Sequence, residues 1–281
     1  MQLLSKIKAD LDFNQNLAEL VEVLKQIAIS QYHTMEKKIK LYDKIFVVLE
    51  SLFDMVPAQG AGMNHPLVNL SNRAPGVIAV TSDTGLLGAL NMQVMTAALH
   101  DVEENNARLI IVGEKGKVYA QENNVPFTSF EGIKDEQRFA QAIQLRNYIV
   151  DQEFSGQIGA LKIFYPYASS LMSQHIQKLQ LLPFAKPKKE KPQGSFEVIM
   201  ESSLGDAVGY MVYLFLGQKL YEIFGLSRLA EIAARFIHLE DSGHKLEQLE
   251  KELRLQYFRQ RHELVDRSMR ELFAARSVFI K

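Results

Sequence analysis

The sequence predicts an α/β protein in which long helices from the two ends of the chain form an antiparallel coiled coil with an inserted globular domain. Residues 11–55 and 227–281 have the apolar spacing of long amphipathic helices, whereas residues 76–182 alternate short apolar strands with helices. Two apolar stripes at opposite ends of one chain can shield each other side by side. This layout favours a mechanical or scaffolding part over an enzyme.

Length, composition and net charge exclude several classes of protein and of chemical site. With 281 residues, 47% hydrophobic and 23% charged, the chain is typical of a soluble protein of one or two domains. A net charge of −1 gives no bulk attraction to nucleic acid or membrane. The absence of cysteine excludes thiolate nucleophiles, disulfides and cysteine-based metal sites. The charged N-terminus lacks a signal-peptide core, and every apolar stretch is shorter than the roughly 20 residues that cross a bilayer. We therefore expect membrane contact only through other proteins.

The N-terminal coiled-coil helix is predicted over residues 1–56. Its apolar stripe begins with Leu17, Leu20, Val21, Leu24, Ile27 and Ala28. Pro57 and the glycines at 60 and 62 end it, because proline cannot donate a hydrogen bond to a continuing helix. A loop of unusual length is predicted from Pro57 to Pro75.

The segment 76–185 is predicted to be a Rossmann-like three-layer α/β head domain. Residues 77–80 are a continuous apolar run typical of a buried parallel strand, and residues 109–112 and 161–165 are predicted as the second and third strands. Three helices complete the βαβ rhythm, near residues 85–100, 115–123 and 135–153. Thr81, Ser82 and Asp83 follow the first strand and can cap the first of these helices.

A charged, proline-flanked linker at 186–192 precedes the C-terminal coiled-coil helix, which is predicted over residues 205–281. Gly243 interrupts its apolar stripe at about 1 kcal/mol relative to alanine and predicts a bend. Residues 251–281 carry eight basic against four acidic side chains. This face is either simply solvated or meets acidic surfaces of a partner through arginine. Nucleic acid is disfavoured, because acidic residues interrupt the face and few aromatic residues interleave.

The sequence contains no recognisable active site. Gly85 and Gly88 form only a GxxG spacing, which a tight turn explains better than phosphate binding does. His238 and His244 lack the i, i+4 spacing of a helical metal pair. No catalytic residue, cofactor or metal is therefore predicted.

Three stretches resemble the gamma subunit of F-type ATP synthases, the central rotor shaft of those complexes. The first, VTSDTGLLGALN at 80–91, is similar to the family's T-x-D-x-G-L-x-G-x-L-N turn, and VGEKG at 112–116 resembles its following G-x-K-G turn. The third runs from EIAAR at 231–235, similar to E-x-A-A-R-M, to YFRQR at 257–261, similar to Y-N-K-x-R. Glu19 and Glu22 stand in a stretch that the family fills with lysine, so the chain resembles a divergent member or a paralogue.

The resemblance implies a non-catalytic subunit of a proton-transporting ATP synthase, with no active site and no cofactor of its own. It implies a rotor that couples ion-driven rotation of the membrane ring to ATP synthesis or hydrolysis. The implied partners are alpha and beta subunits, an epsilon-type subunit and the membrane c-ring. The implied location is peripheral, at the cytoplasmic face of the cell membrane. Arg259 and Arg261 are the expected subunit contacts, followed by Arg254 and Arg235.

The sequence leaves two alternatives open. The chain could be a non-rotary nucleotide-binding α/β protein that uses the Gly85–Gly88 turn, or a coiled-coil adaptor whose head docks partners. Nucleotide binding by the isolated protein would favour the first alternative, and absence of an ATPase ring from the purified complex would favour the second.

Overall fold

The computed structural model describes residues 2–39, 48, 73–183 and 204–279. Helix α1 spans Gln2–Ile39, and helix α5 spans Leu204–Phe279 and continues through Gly243. Between them lie five strands and three helices, in the following order: β1 Gly76–Val80, α2 Leu90–Asn105, β2 Arg108–Val112, α3 Glu114–Glu122, β3 Phe127–Phe130, α4 Arg138–Phe154, β4 Leu161–Ser170 and β5 Ser173–Leu182.

The strands form one sheet in the order β3-β2-β1-β4-β5. The four strands β1 to β4 are parallel, and β5 pairs antiparallel with β4. Alternate residues of β1 face opposite layers: Ile78 and Val80 pack with α4 and with residues 208–224 of α5, while Val77 and Ala79 pack with α2. The predicted α/β fold class is confirmed: the terminal helices are long, and the largely parallel sheet is the middle layer of a three-layer α/β arrangement.

The chain divides into two compact units, one of residues 1–28 with 236–281 and one of residues 29–235. The predicted domain limits of 1–56, 76–185 and 205–281 remain predictions. Most of the predicted loop at 57–75, and the whole predicted linker at 186–192, lie outside the described residues. No helix in the described part of the chain combines the length and hydropathy needed to cross a membrane.

In the first unit, α1 and α5 run antiparallel and are joined by polar contacts. The Gln15 side chain donates to Glu250 at 2.9 Å, and Lys25 pairs with Glu240 at 2.5 Å. The buried positions of α1 in this unit are spaced by seven residues, at Ile7, Asn14, Val21 and Ala28. A seven-residue repeat is typical of a coiled-coil seam.

Asn14 is the polar member of this buried seam and is only 2% exposed. Its Nδ2 donates to the Leu246 carbonyl at 3.0 Å, and its Oδ1 accepts no hydrogen bond from any described residue. A half-satisfied buried amide lowers stability.

The predicted stripe of α1 is only partly correct. Val21 and Ala28 are buried as predicted, but Leu20 and Ile27 are about half exposed. A stripe drawn at three- and four-residue steps covers two faces of the helix, and only one of them faces α5 in the first unit.

Candidate partner-contact sites

The Thr81-Ser82-Asp83 segment does not cap the helix that the sequence predicted. Helix α2 begins at Leu90, with Ala89 at its N-cap position and no side-chain cap. Leu86 and Gly88 have positive φ, at 62° and 55°, and this left-handed backbone keeps residues 84–89 out of the helix.

The three residues bind the N-terminus of α3 instead. The Glu114 N–H donates to Asp83 Oδ1 at 2.8 Å, and the Gly116 N–H donates to Thr81 Oγ1 at 3.0 Å. The Lys115 N–H donates to the Ser82 carbonyl at 3.0 Å. Three successive N–H groups of the helix thus donate to three successive residues after β1. These groups have no acceptor within the first turn of the helix, so the contact satisfies them.

Close backbone approach explains the glycines of this region. Gly113 has φ 103°, and a Cβ atom there would lie 2.6 Å from the Thr81 carbonyl carbon. Gly116 faces Thr81 and Ile111 at similarly short range. In contrast, a Cβ atom on Gly85 would meet open space, and Gly88 requires its positive φ rather than room.

The turn before α2 also packs on α5 within the second unit. Leu87 and Leu90 form a small apolar cluster with Ala234. Arg235 Nη2 donates to Thr84 Oγ1 at 3.0 Å. The turn at 80–91 and the helix segment at 231–235, which resemble two separate family motifs, are therefore in direct contact.

A cluster of charged residues, Asp135, Arg228 and Glu231, lies next to the Arg235–Thr84 contact. Glu231 is 3% exposed and its Oε2 lies 2.6 Å from Arg228 Nη1, while Arg228 Nε lies 3.6 Å from Asp135. Burial raises the pKa of Glu231 to about 6, although Arg228 and Arg235 act in the opposite direction. Burial, with the neighbouring Arg228, lowers the pKa of Arg235. No pattern in the sequence marks Glu231 as a buried acid.

The raised pKa of Glu231 predicts a pH-dependent stability. A carboxyl whose pKa is higher in the folded state stabilises the fold below its unfolded pKa, near 4.5, and this contribution is lost as pH rises through about 6. The wild-type free energy of unfolding should therefore fall by about 2 kcal/mol relative to Glu231→Gln between pH 4 and pH 7. Urea unfolding of both proteins across this range measures the difference. A constant difference would show that Glu231 does not titrate there.

The other three candidate arginines lie on α5 in the first unit. Arg254, Arg259 and Arg261 are exposed. Arg254 Nη2 pairs with Glu250 at 2.7 Å, one turn earlier on the same helix. Within the described part of the chain, Arg259 and Arg261 have no ion-pair partner. Arg235 therefore contacts Thr84 of the head, whereas Arg259 and Arg261 are exposed on α5.

Neither of two cavities in the second unit is lined by the Gly85–Gly88 turn. The larger, of about 380 Å³, lies between the ends of β2 and β3 and helix α4, and the smaller is about 250 Å³. No group of three or more histidine, aspartate or glutamate side chains in the described ranges could hold a metal ion.

Comparison with known proteins gives one consistent family. The sequence pattern of the family described as ATP synthase matches residues 3–277. An ATP synthase gamma chain of Symbiobacterium thermophilum is 23% identical over 260 residues, covering 90% of each chain. The gamma chain of Clostridium kluyveri is 25% identical over 257 residues, again covering 90% of each.

Solved structures show the same fold. A chain of the OSCP/F1/c-ring assembly of Euglena gracilis mitochondrial ATP synthase has a TM-score of 0.69 at 14% identity, covering 99% of this chain and 95% of that one. A chain of the rotor of the same enzyme has a TM-score of 0.65 at 17% identity, covering 94% and 99%. The chain belongs to the ATP synthase family and is a gamma chain of the F type.

Proposed function

We propose that this gamma chain transmits torque through direct contact of α5 with a ring of alpha and beta subunits. The chain is the central stalk rotor of an F-type ATP synthase and couples rotation to ATP synthesis or hydrolysis. Family membership favours this role over the nucleotide-binding and adaptor alternatives.

The observation that supports the contact is the basic tract of α5, by which we mean the exposed stretch from Arg254 to Arg261. Arg259 and Arg261 are exposed and have no ion-pair partner among the described residues, and the nearby apolar side chains of Phe258 and Val265 are about half exposed. Arg261 lies on the same helix face as Phe258 and Val265, and Arg259 lies one turn after the exposed Leu255. Exposed apolar groups with a cation beside them suit an acidic partner. Exposed ion pairs of about 0–1 kcal/mol each can form and break as the shaft turns.

Rotation acts on catalysis only if the shaft contacts each catalytic site differently. A ligand or partner shifts an equilibrium by no more than its difference in contact energy between the two states. An asymmetric pair of helices within a symmetric ring supplies such a difference. Arg254 would contribute less than Arg259 and Arg261, because Glu250 already neutralises it, and Arg235 would act by holding the head turn at Thr84.

The remaining partners and the location follow from the same proposal. The Euglena structures that this chain resembles are assemblies with OSCP and a c-ring in one case and a rotor in the other. We infer that the head meets an epsilon-type subunit and the c-ring, at the cytoplasmic face of the cell membrane. The chain would be held there by the complex and not by a membrane segment of its own.

Charge reversal of Arg259 and Arg261 tests the proposed contact. We expect Arg259→Glu with Arg261→Glu to lower the ATPase activity that rotation couples to ion transport by about tenfold, because two attractive contacts become repulsive. The tagged chain is purified with its partners in mild detergent, and partner recovery and coupled ATPase activity are measured.

Arg259→Lys with Arg261→Lys keeps both positive charges at the same positions of α5 and serves as the matched control. Recovery of alpha and beta subunits with activity lost only in the glutamate variant supports the contact. Equal activity in both variants would contradict the role of Arg259 and Arg261, and recovery of the chain alone would contradict the shaft itself.

A further inference from the structure

The smaller cavity of the second unit lies where helices α1, α4 and α5 meet. Its volume is about 250 Å³, and we call it the three-helix cavity. Each helix contributes one buried side chain to its lining: Met35 from α1, Arg138 from α4 and Ile232 from α5. A small molecule bound in this cavity would therefore lie against all three helices at once.

The described lining of the three-helix cavity has a net positive charge. Lys38, Arg138 and Arg228 supply three cations, and Asp135 supplies one carboxylate. Glu231, which is outside the lining, pairs with Arg228 at 2.6 Å and offsets one of these charges. Lys38 has no ion-pair partner among the described residues. Arg138 is only 6% exposed, and a buried cation attracts an anion more strongly than one in water, because the local dielectric constant is lower.

Helix α1 adds hydrogen-bond donors to the cavity wall. Ser30, Gln31, Thr34 and Lys38 recur at three- and four-residue steps, so they lie on one face of the helix. The Thr34 hydroxyl donates to the Ser30 carbonyl at 2.9 Å. The Ser30 hydroxyl and the Gln31 amide have no hydrogen-bond partner in the described part of the chain. Both groups can therefore donate to a ligand, as can the ammonium group of Lys38.

The size and chemistry of the cavity restrict the ligand to a small oxyanion. Sites that enclose drug-sized molecules measure roughly 300–1,000 Å³, so a whole nucleotide exceeds this cavity. A metal cation is disfavoured by the positive lining. A planar carboxylate presents two oxygens to one side, whereas phosphate presents its oxygens in tetrahedral directions, towards donors on different helices. Phosphate is also the oxyanion that arginine and lysine side chains commonly bind.

We propose that the three-helix cavity binds inorganic phosphate. Lys38 and Arg138 attract the ion, and Ser30 and Gln31 donate hydrogen bonds to its oxygens. The bound ion bridges α1, α4 and α5 and stabilises the junction of the three helices, because it binds the folded chain and not the unfolded one. This inference goes beyond the torque contact proposed above and does not depend on it. It makes the stability of the chain respond to phosphate, which ATP synthesis consumes.

Thermal unfolding of the full-length chain tests the site. The melting temperature is followed by circular dichroism while sodium phosphate replaces sodium chloride at constant ionic strength. Binding at one site raises the melting temperature towards saturation of the junction, with a half-maximal concentration that depends on the affinity. The general stabilising effect of phosphate as an excluded salt acts on every variant alike. We expect the site-specific rise in the unaltered chain.

Lys38→Glu and Lys37→Glu form a matched pair of variants. The two lysines are neighbours on α1 and both are exposed, but only Lys38 lines the cavity. Lys38→Glu should raise the phosphate concentration needed for a given increase in melting temperature about tenfold, because an attractive charge becomes repulsive. Lys37→Glu should respond like the unaltered chain. Equal responses of the two variants would overturn the proposed site.

ADP distinguishes the free ion from a phosphate group that belongs to a nucleotide. In the same assay at equal concentration, ADP should raise the melting temperature less than inorganic phosphate does, because the cavity is too small for the nucleoside. An equal or larger rise with ADP, lost in Lys38→Glu, would overturn the assignment to inorganic phosphate.

Discussion

Gly113→Ala is expected to destabilise the head by about 3 kcal/mol or more. Gly113 has φ 103°, which an L side chain rarely adopts, and a Cβ atom would press against the carbonyl group of Thr81. That carbonyl belongs to backbone at the end of β1, so it cannot rotate away as the end of a flexible side chain could. Relief of the clash requires Thr81 to move, and with it the hydrogen bonds to α3.

Urea unfolding monitored by circular dichroism measures this loss. Gly85→Ala is the matched control, because it makes the same change in the neighbouring turn, where a Cβ atom meets open space and φ is not positive. The control should change the free energy of unfolding by less than about 1 kcal/mol. Similar values for the two variants would show that the β1–α3 contact does not constrain the backbone at Gly113.

Asp101→Asn is expected to lower stability by about 2–3 kcal/mol. Asp101 lies on α2 and is 3% exposed. Both of its oxygens lie 3.0 Å from Lys162 Nζ on β4, and Oδ1 lies 2.6 Å from Lys178 Nζ on β5. Asparagine keeps the shape but removes the charge, so two ammonium groups lose their shared partner. The loss stays moderate because Lys178 is half exposed and water can solvate it.

The pH dependence of this loss identifies the charge as its cause. Burial alone would raise the pKa of Asp101, but hydrogen bonds from Lys178 and Lys162 outweigh it and lower the pKa. A carboxyl with a lowered pKa stabilises the fold above its unfolded pKa, and that stability is lost as pH falls through the folded value.

The gap between wild type and Asp101→Asn should therefore be widest at neutral pH and close in acid. Thermal unfolding over the pH range measures it. Glu104→Gln, three residues later on the exposed face of α2, should show no comparable gap at neutral pH, because the one ion-pair partner of Glu104 among the described residues is the exposed His100. A gap for Asp101→Asn that persists unchanged in acid would attribute its effect to packing.

Strands with continuous apolar runs could be predicted, whereas the edge strands could not. The strands at 77–80, 109–112 and 161–165 are covered by helices on both faces, so every side chain except that of Lys162, which pairs with Asp101, is apolar or aromatic. Strand β3 is only four residues long and half exposed, and β5 alternates polar and apolar residues at the other edge. Such patterns are difficult to tell from loop.

Contacts between segments that are distant along the chain could not be predicted from the sequence, because they depend on how the strands and helices pack. Thr81, Ser82 and Asp83 have the composition of a helix cap, but which helix they cap depends on the packing of β1 against β2. Likewise, the lysines that pair with Asp101 lie 61 and 77 residues away along the chain. Arg235 matched a motif, yet its bond to Thr84 required the tertiary structure. Periodicity reports local burial and not the identity of the neighbour.

The seven-residue spacing of the buried seam on α1 also has a chirality. An α-helix has 3.6 residues per turn, so a seam repeated every seven residues drifts about 20° per heptad and winds left-handed around the helix. From Ile7 to Ala28 the seam crosses three heptads, or about 60° of winding. Torsion in one sense tightens a left-handed pair, and torsion in the other sense unwinds it. The torsional stiffness of this helix pair therefore differs between clockwise and anticlockwise loads.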